Sequence, residues 1–289
     1  MPIYRRSPVT EQPTQPLIPT PIAEEPTNGQ LNVTFVTDRD FAGRQLVGSR
    51  SKQEDFYAFS DVSDPGEPAL TQLLVGLGDG LGAHSGGNLA SAHLVTEFIK
   101  AYKSTKLAES WRMRIALEQA NDHLDELSKR YGGLLPMGTT FIGLHITRTF
   151  CQWISVGDSP LFIFRNGKLE RLNADHSLTP ILEDRVRNGE ITEEESLAHP
   201  DRHILQSACM GQPLTLVDAR TYPYDLHSGD ILLAASDGIL TLGTKEIEEL
   251  LLNGSRNSAA KLANSLLFAI RCVDHPRQDN VTIALVKVP

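Results

Sequence analysis

Five aspartates are the residues of this chain whose type and spacing best suit chemistry. Each stands at the end of a strand-like run and beside a small or turn-forming residue. A strand end followed by a tight turn lets a side chain leave the hydrophobic layer and point into a cleft. The five residues are Asp55, Asp79, Asp158, Asp237 and Asp279.

Carboxylates that converge on one cleft repel one another, which raises their pKa values and destabilises the fold unless divalent cations neutralise them. Oxygen ligands without Cys or His favour Mg²⁺ or Mn²⁺ over zinc or copper. Ordinary turn chemistry explains any single Asp-Gly pair, such as Asp79-Gly80 or Asp237-Gly238, at least as well. The cation hypothesis therefore depends on what surrounds the aspartates.

The elements that must position these residues are short strands and helices. Ile142, Leu144 and Ile146 alternate with other residues, which predicts a strand over 139–147. A helix over 111–131 would place Trp111 and Leu124 on one apolar face that needs a surface to lie on. The other predicted strands are 55–62, 73–78, 151–156, 161–165, 214–222, 231–235 and 281–288, and the later predicted helices are 245–252 and 259–271.

Strands and helices come in blocks and do not alternate strictly, which favours α+β layers over a doubly wound parallel sheet. Residues 178–203 interrupt the strand series with a polar stretch that includes Glu193, Glu194 and Glu195, and we interpret it as a small helical insertion. The first thirty residues hold seven prolines among Thr, Gln and Glu, a composition typical of a flexible tail.

Composition excludes several classes of protein. A formal charge of -9 argues against a basic face for nucleic acid or anionic lipid. Cys151, Cys209 and Cys272 are an odd number without paired spacing, so neither a disulfide framework nor a zinc site is indicated. No apolar run reaches membrane-spanning length, and we expect a cytoplasmic protein with neither a nucleic-acid nor a membrane partner.

Seven short motifs contain or flank the aspartates: 48–55 (GSRSKQED), 78–84 (GDGLGAH), 137–140 (MGTT), 156–159 (VGDS), 174–177 (ADHS), 235–238 (ASDG) and 278–282 (QDNVT). Their order and spacing resemble the metal-dependent serine/threonine phosphatases of the PP2C (PPM) type, in their bacterial form. No one motif is specific, but seven in sequence are a strong signal. The resemblance covers residues 33–288.

This resemblance implies an α+β fold, a two-layer antiparallel β-sandwich flanked by helices on both sides (αββα). The polar insertion resembles the flap of that family, at about 178–205. The chain would then consist of a Pro-rich tail, 1–30, and a phosphatase catalytic domain, 31–289.

The resemblance also implies two tight sites for Mn²⁺ or Mg²⁺. Asp79 would bridge both cations, Asp55 and the carbonyl of Gly80 would complete one site, and Asp237 and Asp279 would hold the other. Two such cations can activate a water for attack on phosphorus.

Three further roles follow from the resemblance. Asp158 resembles the ligand of a third, weaker metal. Arg50 would bind the phosphate oxygens bidentately, which lysine does less well. His84 would protonate the departing serine or threonine oxygen. With Asp79, Arg50 and His84 form the expected catalytic set.

The chain departs from the family pattern at a few positions. Ala83 replaces a common glycine, Gln53 a common asparagine and Pro160 a common arginine, and residues 207–211 replace the usual Arg-containing end of the flap. None of these changes removes an implied metal ligand. Pro160 removes a backbone donor and a cation beside Asp158, which affects the third metal site more than the central pair.

The implied function is hydrolysis of phosphoserine and phosphothreonine in proteins, reversing kinase signalling. The expected partners are phosphorylated proteins made by a serine/threonine kinase, and we expect a monomer. The acidic flap favours a basic or neutral phosphosite. The alternative is a catalytically weak or inactive regulator with a phosphatase fold that binds a phosphoprotein partner. Retention of Asp55, Asp79, Asp237 and Asp279 favours the enzyme.

Overall fold

The structure is a computed structural model that describes residues 34–81, 86–130 and 137–289. These residues belong to one compact unit, Asn32–Pro289. The predicted tail, 1–30, and His84 lie outside the described residues.

Two five-stranded sheets form the centre of this unit, and every strand pair in them is antiparallel. In spatial order the first sheet contains β1 (Phe41–Leu46), β12 (Val281–Lys287), β11 (Ile231–Ala235), β8 (Leu161–Arg165) and β9 (Lys168–Arg171). The second contains β10 (Asp218–Asp225), β7 (Phe150–Val156), β6 (Phe141–Ile146), β3 (Leu73–Gly78) and β2 (Phe56–Asp61). A two-stranded ladder joins β4 (Gly80–Leu81) to β5 (Gly138–Thr139).

Side-chain alternation along the central strands separates the hydrophobic layers. In β3, Leu73 and Val75 belong to the core between the two sheets, whereas Leu74 belongs to the core beneath the helices. In β11, Leu232 lies between the sheets and Leu233 faces the opposite helical layer. Side chains of a strand alternate between the faces of its sheet, so each of these strands contributes to a buried core on both faces.

Helices cover the outer face of each sheet. Helices α1 (Gly87–Ser104) and α2 (Glu109–Arg130) pack on the second sheet, and α5 (Thr244–Asn253) and α6 (Ala259–Val273) pack on the first. The arrangement confirms the predicted αββα sandwich. None of the helices in the described part of the chain has the length and apolarity needed to cross a membrane.

The predicted insertion forms two short helices, α3 (Thr179–Arg187) and α4 (Glu193–Leu197). Thr192 and Glu195 form a capping box at the start of α4, in which the Thr192 hydroxyl accepts from the Glu195 amide. Such reciprocal capping satisfies backbone donors that a short helix would otherwise leave unpaired.

The structure differs from the sequence prediction in two strands, in the start of a third and in the buried face of one helix. Strands β1 and β9 were not predicted, and β10 begins at Asp218 and not near residue 214. Strand β9 follows β8 through Asn166 and Gly167, both with positive φ, a turn that pairs adjacent strands. The predicted apolar face of α2 was also displaced, since Trp111 is 64% exposed while Leu124 is fully buried.

Candidate active site

A cleft of about 640 Å³ lies at one end of the central strands. Antiparallel pairing explains why its residues meet there, because the end of one strand adjoins the start of its neighbour. Phe56 of β2 pairs with Gly78 of β3, so the residues just outside those strands, Asp55 and Asp79, lie at the same end. The cleft is lined by Arg50, Ser51, Lys52, Glu54, Asp79, Gly80, Leu81, Thr140, Asp158, His203, Leu205, Asp237, Asp279 and Asn280.

The structure brings most of the predicted site residues to this cleft. Among the described residues, Asp55 is the predicted ligand that does not line it. Its side chain is 5% exposed and lies beneath the cleft, where Oδ2 accepts a hydrogen bond from the Ser236 hydroxyl at 2.8 Å. Oδ1 of Asp55 is buried without a hydrogen-bond partner in the described part of the chain. Burial raises the pKa of Asp55 to about 6, with a smaller contribution from the negative charge of Asp237.

Asp79 is held through its backbone. Its amide donates to the Thr140 hydroxyl at 3.1 Å, and its carbonyl accepts from the Thr140 amide and the Thr139 hydroxyl, each at 2.9 Å. Burial raises the pKa of Asp79 well above its ordinary range, and the charge of Asp55 raises it further. The Asp79 backbone is therefore fixed by hydrogen bonds, and the charged form of its side chain is destabilised by burial and by the charge of Asp55.

Gly80 is required by the close approach of two backbone segments. A Cβ on this residue would lie 2.3 Å from the Glu54 carbonyl oxygen and 2.4 Å from that of Gly87. No side chain fits there, so the backbone of Gly80 can line the cleft beside Asp79.

Asp279 and Arg50 form an ion pair at the mouth of the cleft. Nη2 of Arg50 donates to Oδ2 of Asp279 at 2.5 Å, and the Asn280 amide donates to Oδ1 at 2.7 Å. The Arg50 loop is held against Asp279 because the Ser49 amide donates to the Gln278 carbonyl at 2.8 Å. Nearby, burial raises the pKa of Asp237, and the charge of Asp279 raises it further.

Asp158 occupies a tight turn after β7. Burial raises its pKa to about 7, with further contributions from Asp237 and Asp175. Pro160 was expected to remove a backbone donor and a cation beside Asp158. In the structure Arg171 of β9 donates to the Asp158 carbonyl at 2.8 Å and to the Asp175 carboxylate at 3.0 Å. A guanidinium therefore supports the turn from a strand that the sequence did not predict.

Divalent cations are the chemistry that this donor set best fits. The buried, unpartnered oxygen of Asp55 and the raised pKa values of Asp55, Asp79, Asp158 and Asp237 all favour positive charge in the cleft. Within residues 34–81, 86–130 and 137–289, no three Asp, Glu, His or Cys side chains are close enough to share one ion. Each cation would therefore take part of its shell from backbone oxygen and water, as Mg²⁺ commonly does.

Sequence reasoning assigned no role to several residues that form this site. Thr139 and Thr140 were recognised only as part of a motif, and they hold the Asp79 backbone. Ser236 was likewise only a motif residue, although its hydroxyl binds Asp55. Lys52 was also only a residue of the motif at 48–55, and nothing in the local sequence distinguishes His203 from a surface residue, yet both line the cleft.

Bacterial protein phosphatases are among the known proteins that this chain resembles. No protein-family model matches the chain. Protein phosphatase PhpP of Streptococcus pneumoniae is 30% identical over 267 residues, which cover 89% of this chain and 98% of PhpP. A putative protein phosphatase 2C-type of Streptococcus pyogenes is 30% identical over 220 residues, covering 74% of this chain and 85% of that protein.

The fold agrees with a solved structure. The catalytic domain of the serine/threonine protein phosphatase PstP, crystallised with two manganese ions, superposes with a TM-score of 0.67 at 23% identity. The superposition covers 86% of this chain and 96% of that one.

Fold and site together define a phosphatase with an acidic cleft at one end of an αββα sandwich. The chain belongs to the PP2C (PPM) family of metal-dependent serine/threonine protein phosphatases. Its activity is dephosphorylation of phosphoserine and phosphothreonine in proteins, and no finding favours the alternative of an inactive regulator.

Proposed function

We propose that this phosphatase hydrolyses its substrates with a water activated by two divalent cations, Mn²⁺ or Mg²⁺, bound in the acidic cleft. The observation that carries the proposal is the convergence of Asp79, Asp158, Asp237 and Asp279 on one cleft above a buried, unpartnered oxygen of Asp55. The two manganese ions of PstP support the number and the choice of metal.

Six residues would hold the cations. Asp79 is proposed to bridge the two tight sites, with Asp55 and the carbonyl of Gly80 completing one and Asp237 and Asp279 the other; the three carboxylates of the second site would have to draw closer together when the ion binds. When bound, the cations would lower the pKa of a water and neutralise charge near the phosphoryl group. Asp158 is proposed to serve a third, weaker site.

Asp55 has one oxygen that the protein holds and one that is unpaired among the described residues. Its Oδ2 is held by the Ser236 hydroxyl, while its buried Oδ1 has no hydrogen-bond partner in the described part of the chain. A carboxylate with one oxygen held by the protein and the other unpaired is prepared to bind a cation or a cation-bound water with little reorganisation.

Arg50 is proposed to bind the phosphoryl oxygens of the substrate. Its guanidinium lies at the cleft mouth and is 58% exposed, so it can turn from Asp279 to an incoming phosphate. Two parallel N–H donors would orient the phosphoryl group for attack from the cleft floor.

His84 is proposed to donate a proton to the leaving serine or threonine oxygen, which is a poor leaving group as an alkoxide. The residue lies outside the described residues, and the proposal depends on its position in the motif at 78–84.

The chain's organisation into a tail, 1–30, and a catalytic domain, 31–289, is likewise a proposal. We also propose that the enzyme acts in the cytoplasm, as a monomer, on the products of a serine/threonine kinase.

The experiment that tests this function is hydrolysis of p-nitrophenyl phosphate and of phosphoserine and phosphothreonine peptides by the purified chain. We expect activity with Mn²⁺ or Mg²⁺, its abolition by EDTA, and its recovery when metal is returned. Alkylation of cysteine is the control, because burial raises the pKa of Cys151 to about 12 and makes it a poor nucleophile. Turnover that survives chelation but is lost on alkylation of the folded protein would exclude the two-metal mechanism.

A further inference from the structure

The cleft is lined by basic as well as acidic side chains. Among its described lining residues the carboxylates are Glu54, Asp79, Asp158, Asp237 and Asp279, and the basic groups are Arg50, Lys52 and His203. Cations bound at the carboxylates would cancel most of the negative charge. The positive charge and the hydrogen-bond donors left to face a substrate would then come from the three basic residues.

Lys52 combines a fixed backbone with an uncommitted ammonium group. Its carbonyl accepts from Nδ2 of Asn280 at 2.9 Å, while Oδ1 of Asn280 accepts from the Glu54 amide at 2.7 Å. The Lys52 side chain is exposed and makes no hydrogen bond or ion pair within the described ranges. Its ammonium can therefore bind an anion without breaking an existing contact.

His203 is held over the cleft by hydrogen bonds on both sides of it in the chain. The Leu178 amide donates to the Ile204 carbonyl at 3.0 Å, and the Thr179 hydroxyl donates to the Arg202 carbonyl at 3.0 Å. The exposed imidazole has no hydrogen-bond partner in the described part of the chain, and it lies within electrostatic range of Asp237. The backbone is thus fixed while both ring nitrogens remain available.

The acidic residues of the flap lie elsewhere. Glu193, Glu194 and Glu195 form the first turn of α4, all three are exposed, and none lines the cleft. Glu195 is engaged in capping that helix. The flap residues that line the cleft are His203 and Leu205. The negative net charge of the flap therefore does not give the charge of the part of it that would face the substrate.

We infer that Lys52 and His203 form a second anion subsite, beside the phosphoryl position, that recognises a negatively charged group next to the phosphoresidue of the substrate. The group is either a carboxylate or a second phosphoryl group, since both accept hydrogen bonds from an ammonium and an imidazole. A cleft of about 640 Å³ has room for the phosphoresidue and a neighbouring side chain. This inference rests on the proposed function, and it reverses the preference for basic phosphosites expected from the acidic flap.

The test compares phosphothreonine peptides that differ only in the residue next to the phosphoresidue, which is Ala, Glu or Lys on either side. We expect the Mn²⁺-loaded enzyme to show a kcat/KM about ten-fold higher for Glu than for Lys, because an exposed ion pair with Lys52 and a hydrogen bond from His203 would each contribute up to about five-fold. His203→Ala should lower the Glu-to-Lys ratio about five-fold, and Lys52→Glu should invert it. Calorimetric binding of phosphonate analogues, with Glu or a second phosphonate as neighbour, identifies which anion binds more tightly.

Matched controls come from residues outside the cleft. Lys245 is exposed on α5, and His227 is exposed in the turn after β10, so Lys245→Ala and His227→Ala should leave the ratio unchanged. A wild-type enzyme that hydrolyses all peptides equally well, or a ratio insensitive to both cleft substitutions, overturns the subsite alone. Absence of any Mn²⁺-dependent hydrolysis, including that of p-nitrophenyl phosphate, overturns the proposed function and the subsite with it.

Discussion

The guanidinium of Arg50 and the carboxylate of Asp279 form an ion pair with an N–O distance of 2.5 Å. The two residues are separated by 229 positions in the chain, and we propose different partners for them, phosphate for Arg50 and a cation for Asp279. A cation and Arg50 therefore compete for the same carboxylate. Metal binding would release Arg50 from Asp279, so that its guanidinium could bind phosphate without breaking the ion pair.

This competition predicts that Arg50→Ala binds Mn²⁺ more tightly than the wild type. The gain should be about five-fold or less, since the pair is partly exposed and such pairs contribute at most about 1 kcal/mol. Isothermal titration calorimetry measures the Mn²⁺ affinity of each protein. Arg44→Ala is the matched control because it removes the same charge from an exposed pair with Asp38. Equal affinities for the two variants would show that Arg50 does not compete with the metal.

The proposed ligands predict a graded response to removal of single carboxylates. Asp79→Asn should lose both tight metals and nearly all activity, whereas Asp158→Asn should keep both tight metals and lose turnover that high Mn²⁺ partly restores. Calorimetry counts the bound ions and a phosphopeptide assay measures turnover. An Asp79→Asn protein that binds two Mn²⁺ ions and works at the parent rate would refute these assignments.

Substrate choice separates leaving-group chemistry from binding. His84→Ala should slow hydrolysis of phosphoserine peptides far more than that of p-nitrophenyl phosphate, whose leaving group needs no proton. Arg50→Ala should weaken both, chiefly through KM. Equal losses of kcat on the two substrates for His84→Ala would remove its role as general acid.

The metal-free protein should become less stable as pH rises from about 4 to 7.5. Because the folded-state pKa of Asp55 is about 6 and that of Asp158 about 7, against an ordinary 3.8, the folded state holds protons that the unfolded state has lost. At ~1.4 kcal/mol per pH unit, Asp55 alone costs the metal-free fold about 3 kcal/mol at the upper end. This contribution is absent below the unfolded pKa and complete above the folded one.

Urea unfolding of the metal-free wild type and of Asp55→Asn across this range measures the effect. The substitution should flatten the decline, because Asn cannot titrate, and should raise stability near neutral pH. The raised pKa of Asp158 is caused chiefly by its own burial, so the contribution of Asp158 is shared by both proteins and cancels in the difference. Identical pH dependence in the two proteins would show that burial does not raise the pKa of Asp55.

Much of this site was predictable because strand ends and turn residues leave local signals. Asp79 follows a strand whose limits, 73–78, were predicted correctly, and the neighbouring Gly80 marks a close backbone approach. Contacts distant in the chain leave no such signal. Arg171 supports Asp158 from a strand that depends on the Asn166-Gly167 turn, and Trp111 is exposed because tertiary packing buries another face of α2.

Two glycines with positive φ offer a final test of how the Arg50 loop supports Asp279. Gly48 and Gly189 both have positive φ, 66° and 72°. A Cβ at Gly48 would lie 2.3 Å from the Asp279 carbonyl oxygen, whereas one at Gly189 meets nothing within 4 Å. Both substitutions by alanine should therefore carry the strain of a left-handed residue, roughly 1 kcal/mol. Only Gly48→Ala should displace the segment that carries Asp279.

We expect Gly189→Ala to lower the free energy of unfolding by about 1 kcal/mol and to leave Mn²⁺ affinity unchanged. Gly48→Ala should lose more stability, about 3 kcal/mol, and bind Mn²⁺ at least about ten-fold more weakly, because the Asp279 carboxylate is moved from its position. Urea unfolding of the metal-free variants and calorimetry supply the two readouts. Equal stability losses with unchanged metal affinity would show that the contact of Gly48 with Asp279 does not position the carboxylate.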